Sequence, residues 1–251
     1  MGMTFARSRL GQRYKGLKSL STRDRSDECG RLAENPGELV DEFCEALRDM
    51  EPNDNRTQPF HPDGRKCDPV LRGARMYLNR LQAGTVSVPA LEGYEFLIMD
   101  YEIGPRRATG AGARASGAGG IDYVALSQGT PRVPILGEIK VGNDKDTFYA
   151  FVQLLYYLSE MSSEAQVDRA NRHLFGRAVC FPAKWDLHIL LCDFNDRGEK
   201  GPIVEETYRL AKAFCGRLGE FADARARLGR VLCLGLGKSQ SGRTLELIWH
   251  C

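Results

Sequence analysis

The chain predicts a mixed α/β domain, on three observations. Hydrophobic residues fill 42% of 251 positions and charged residues 27%, the balance of a globular chain with a sizeable core to bury. The spacing of apolar residues switches from helical to strand-like and back along the chain. No uninterrupted apolar run approaches the roughly 20 residues that cross a bilayer, and the start MGMTFARSRL lacks the apolar stretch of a signal peptide. A cytoplasmic protein with no membrane partner is the expectation.

The elements follow in order. Residues 1–30 are basic: Arg7, Arg9, Arg13, Lys15, Lys18, Arg23 and Arg25 stand against Asp24 within the first 25 positions. This reads as a flexible terminal segment or as a source of phosphate contacts. Residues 31–251 read as one domain. GELVDEFCEALRDM (37–50) repeats Leu39, Phe43, Leu47 and Met50 at helical spacing, and VLRGARMYLNRLQAG (70–84) is a second helix stopped by Gly84. Its Arg72, Arg75 and Arg80 are either phosphate contacts or a solvated basic face. YEFLIMDYEI (94–103), GIDYVAL (120–126) and VPILGEIKV (133–141) are strands, the last two joined as a hairpin by SQGTPR. DTFYAFVQLLYYLSEMSS (146–163) is a strong helix, LHILLCDF (187–194) a strand and IVEETYRLAKAFCGRL (203–218) a helix. RVLCLGLG and TLELIWH are two further strands.

Composition and motifs exclude several functions. A net charge of +2 is too small to declare a nucleic-acid partner by itself. Eight cysteines never fall in a C-x-x-C pair, which leaves buried reduced thiols as the expectation. Four scattered histidines disfavour a zinc site, and without G-x-x-x-x-G-K-[ST] the chain carries no P-loop, so no nucleotide cofactor is expected. The glycine-rich stretch 104–120 contains Arg106, Arg107 and Arg114 and precedes a strand. It is either a plain connection or a basic loop over nucleic acid.

The chemistry concentrates in the hairpin. Alternation along 120–126 puts Asp122 with Val124 and Leu126 on one face, and in the partner strand Glu138 and Lys140 share a face, roughly 7 Å apart. Three ionisable groups in otherwise apolar strands cost several kcal/mol per ion unless they pair with one another or hold a metal. Two carboxylates and a main-chain carbonyl make a hard oxygen site suited to Mg²⁺, with Lys140 beside it. The other reading of Glu138 and Lys140 is an exposed ion pair of little consequence. On the following helix, Gln153 and Tyr157 at i and i+4 share a face away from Phe148, Phe151, Val152, Leu155 and Leu158; a solvent-facing role is the competing reading.

Gly120-Ile121-Asp122 followed by Gly137-Glu138-Ile139-Lys140, with fifteen residues separating Asp122 from Glu138, resembles the PD-(D/E)XK metal-dependent nucleases. Gln153-Leu-Leu-Tyr-Tyr157 resembles the Q-x-x-x-Y element of their RecB-like exonuclease branch. The resemblance covers about residues 94–195. It implies a restriction-endonuclease-like αβββαβ core with extra N-terminal helices and C-terminal strands, and a Mg²⁺- or Mn²⁺-dependent hydrolase of phosphodiesters, with DNA as partner. It further implies that Asp122, Glu138 and the Ile139 carbonyl ligate the metal, that Lys140 assists the attacking water, and that Gln153 and Tyr157 steady the site. Many such nucleases add an acid from an upstream helix, for which Glu42 is the candidate. A non-catalytic nucleic-acid-binding or regulatory module that keeps the fold is the alternative.

Overall fold

A computed structural model describes residues 8–48, 60, 72–103, 120–142, 144–193, 202–237 and 243–251, with the backbone alone for 72–76. Three helices come first: α1 (Arg9–Leu17), α2 (Thr22–Glu34) and α3 (Pro36–Arg48). Ser8 caps α1 by accepting the Gly11 N–H (3.1 Å), and Ser21 caps α2 by accepting the Asp24 N–H (3.2 Å). Pro36 opens α3, where its fixed φ suits the first helical position.

Residues 9–34 therefore correct the expectation of a flexible basic segment. Leu10, Tyr14 and Leu17 form a buried stripe at i, i+4 and i+7, and two of the surrounding cations find local acids. Arg13 reaches Glu28 of α2 and both Glu38 and Glu42 of α3, while Arg9 pairs with Glu45 at 2.6 Å. Arg9 and Arg13 are thus paired within the helical bundle.

Helix α4 (Arg72–Gln82) leads to β1 (Val86–Ser87), β2 (Glu95–Ile103), β3 (Ile121–Ser127) and β4 (Pro134–Val141). Helix α5 (Thr147–Met161), α6 (Glu164–Ala170) and a π-helical turn (Asn171–Phe175) precede β5 (Trp185–Cys192). Helices α7 (Pro202–Leu218) and α8 (Ala222–Arg225), then β6 (Leu228–Leu236) and β7 (Glu246–His250), complete the order. Among the described residues, seven strands form one sheet in sequence order. Pairing is antiparallel from β1 to β4, parallel from β4 through β5 to β6, and antiparallel again at β7. The sheet curls until its edges approach: the Ser87 N–H donates to the Arg243 carbonyl (3.0 Å) and the Leu245 N–H to the Ser87 carbonyl (2.8 Å).

Apolar side chains divide between the two faces. Val124, Leu126, Leu136, Leu187 and Ile189 pack against α1, α3, α5 and α7 in the larger core. Tyr123, Ala125, Ile135, Ile139 and Leu190 pack inside the curl with Tyr77, Leu78 and Leu81 of α4. The β3–β4 hairpin is as the sequence predicts, with Tyr123 opposite Gly137 and Leu126 opposite Pro134. Gly137 is required there, because a Cβ would lie 2.0 Å from the Tyr123 ring that crosses it. The Tyr123 hydroxyl in turn hydrogen-bonds His188 Nδ1 (3.1 Å), and burial pushes that imidazole down to about 3, so it is neutral.

Candidate active site

Asp122, Glu138 and Lys140 lie on the face that meets α5, the face of Val124 and Leu136. One step beyond the Tyr123–Gly137 pair the register brings Asp122 and Glu138 opposite each other on neighbouring strands. Asp122 Oδ2 accepts the Ile139 N–H at 2.6 Å. Lys140 Nζ donates to Glu138 Oε1 at 3.2 Å and lies 3.7 Å from Asp144 Oδ2. Gln153 reaches down from α5, where its Nε2 donates to Glu138 Oε2 at 2.8 Å. The sequence-predicted residues Asp122, Glu138, Lys140 and Gln153 thus meet in one buried cluster, each 5–9% exposed. An exposed pair at Glu138 and Lys140 is excluded by that burial.

Helix α5 is buried on almost every side, so neither Gln153 nor Tyr157 faces solvent. The local cause is sequence: the Asp146 side chain caps the helix by accepting the Tyr149 N–H (2.8 Å), and aromatic and aliphatic residues then fill both the sheet side and the α1 side. Tyr157 is 1% exposed and meets Tyr14 of α1 edge-on, ring centroids 6.1 Å apart. Tyr14 also stacks on Tyr149 (5.4 Å) and Tyr156 (4.9 Å). Lys140 Nζ lies 5.0 Å from the Tyr149 ring centroid, and Arg25 of α2 covers the same ring while pairing with Asp146 at 2.5 Å. These α1 and α2 contributions escaped the sequence reading. The Leu10, Tyr14, Leu17 spacing was the signal, masked by the surrounding charge.

Burial pushes the Asp122 carboxyl up to about 7, against the pull of the Ile139 N–H, and the nearby Glu102 charge raises it further. Glu138 is pushed well above the usual range by burial and then by the Asp122 charge. Lys140 ends above its ordinary value: burial lowers it, but the charges of Glu138, Asp144 and Asp122 prevail. The carboxyl pair therefore holds a proton that two isolated carboxylates would have released at neutral pH. Glu102 itself, on β2, has φ 51°, a left-handed conformation few non-glycine residues adopt.

Glu42 is placed elsewhere. Both its oxygens accept from Arg13, at 2.7 and 2.8 Å, so the cluster assembles without it. Ile139 joins through its N–H. Arg106, Arg107 and Arg114 lie outside the described residues, as do the side chains of Arg72 and Arg75. Among the described residues, no group of three or more His, Cys, Asp or Glu side chains is placed to hold a metal ion, and no helix is long and apolar enough to cross a membrane. No protein-family model, curated protein or solved structure matches the chain.

Proposed function

We propose that the chain is a cytoplasmic nuclease that hydrolyses phosphodiester bonds of DNA at an Mg²⁺ or Mn²⁺ site built on Asp122 and Glu138. In this reading β2, β3, β4, α5 and β5 form a restriction-endonuclease-like core. The observation that carries it is the pairing of two buried carboxyls beside Lys140, capped by Gln153, whose Oε1 is buried with no hydrogen-bond partner among the described residues. A buried acceptor left over next to two crowded carboxyls is a donor set that a hard divalent cation would satisfy.

Asp122, Glu138 and the Ile139 carbonyl would hold the ion, with Gln153 Oε1 nearby. When bound, the cation would supply Lewis-acid polarisation of the scissile phosphate and favour ionised oxygen ligands. The protein's own groups do the rest. The Ile139 N–H fixes Asp122, and Gln153 Nε2 fixes the Glu138 carboxylate. Lys140 carries a proton and a positive charge at the edge of the cluster nearest the exposed Asp144, where it orients an attacking water and offsets charge developing on the phosphate. Tyr157 and Tyr14 close the α1 side to water.

One observation favours the non-catalytic alternative: a third acidic ligand is missing from the described residues. Incubating the protein with linear, circular and single-stranded DNA and Mg²⁺ or Mn²⁺ separates the readings. The proposal predicts cleavage that falls by at least ~10²-fold in Glu138→Ala and Lys140→Ala. Cleavage that persists in both variants contradicts it, and metal-independent DNA binding without cleavage supports the binding module.

A further inference from the structure

The sulfurs of Cys215 and Cys251 lie 3.0 Å apart. Cys215 projects from α7, and Cys251 follows β7, held by two backbone hydrogen bonds of 3.0 Å with Val231 of β6. Both residues are half-buried, whereas Cys29, Cys44, Cys192 and Cys233 are buried. We propose that Cys215 and Cys251 are a redox-active thiol pair, which a low-molecular-weight disulfide oxidises to an intramolecular disulfide linking α7 to the edge of the sheet. Closing from contact to a bond of ~2.05 Å requires a shift of roughly 1 Å, and the partner strand fixes one end of the pair.

The two thiols are unequal. Hydrogen bonding from Cys251 holds the Cys215 thiol below its ordinary value despite burial, and Arg225 adds to the effect; the same contact pushes the Cys251 thiol up. A cavity of about 520 Å³ reaches Cys251, its lining balanced between Lys184, Arg225 and Arg230 and the acids Glu92, Glu95 and Asp186; it gives a small disulfide such as oxidised glutathione a way to the pair without selecting it by charge. The Cys215 thiolate attacks one sulfur of that disulfide, forming a mixed disulfide and releasing one thiolate. Cys251 then gives up its proton and displaces the second thiolate from Cys215. Two protein thiols are oxidised, one small disulfide is reduced, and the two protons leave on the released thiols.

The test treats the full-length protein with oxidised glutathione, alkylates the remaining thiols and maps the digest by mass spectrometry without reduction. The expected result is a Cys215–Cys251 linked peptide in the wild type and in Cys180→Ser, reversed by dithiothreitol. Glutathione trapped on Cys215 in Cys251→Ser is also expected. A digest with no linked peptide, with glutathione on the exposed Cys180 alone, or with Cys215 joined to a different cysteine overturns the proposal.

Discussion

Asp122 and Glu138 are acids whose folded state favours the protonated form. An unfolded aspartate titrates near ~3.9, whereas Asp122 is pushed up to about 7. Their contribution to stability is therefore fully present below about pH 4 and is lost as pH rises through about 7, the opposite of the usual carboxylate behaviour. Melting temperature measured without divalent ions should decline across that window, and Asp122→Asn should flatten the decline. Mn²⁺ should restore stability most at the alkaline end, where the pair is ionised and the ion offsets its repulsion. An apo protein whose stability rises between about pH 5 and about pH 8 in step with Asp122 would contradict the assignment.

At the scale of elements, α1 is a structural partner of α5. Tyr14 places one ring against Tyr149, Tyr156 and Tyr157, and Arg13 ties α1 to α2 and α3 through three glutamates. Tyr14→Ala should cost about 3 kcal/mol in denaturant unfolding, as expected for removing a buried aromatic. It should also weaken cleavage, because Tyr157 then loses the ring that closes its side of the site. A variant as stable as the wild type would show that α1 packs loosely.

Elements with strong periodicity were legible in the sequence: α3, α4, α5, α7 and the β2–β3–β4 run appear close to where the apolar spacing places them. Helices α1 and α2 were not, because their apolar residues are few and the feature that stabilises them, Arg13 among Glu28, Glu38 and Glu42, joins positions up to 29 apart. The same long-range pairing diverts Glu42 from the site. The short β1 and α8 gave no periodic signal at all. Conversely, Asp122, Glu138 and Lys140 were legible, since alternation in two adjacent strands fixes a shared face before any tertiary contact is known.

For the whole molecule, the curled sheet assigns its two faces different tasks. The inner face holds α4 and the neutral His188 network, while the outer face carries the acid pair under a layer of helices. The arrangement rests on one electrostatic claim: the acid pair retains a proton in the absence of a cation and releases it when one binds. Calorimetric titration of the protein with Mn²⁺ near pH 7, repeated in buffers of different ionisation enthalpy, counts that proton directly. The account predicts release of about one proton per ion bound, reduced in Asp122→Asn and in Glu138→Gln. Binding without proton release, or release unchanged in both variants, would contradict it.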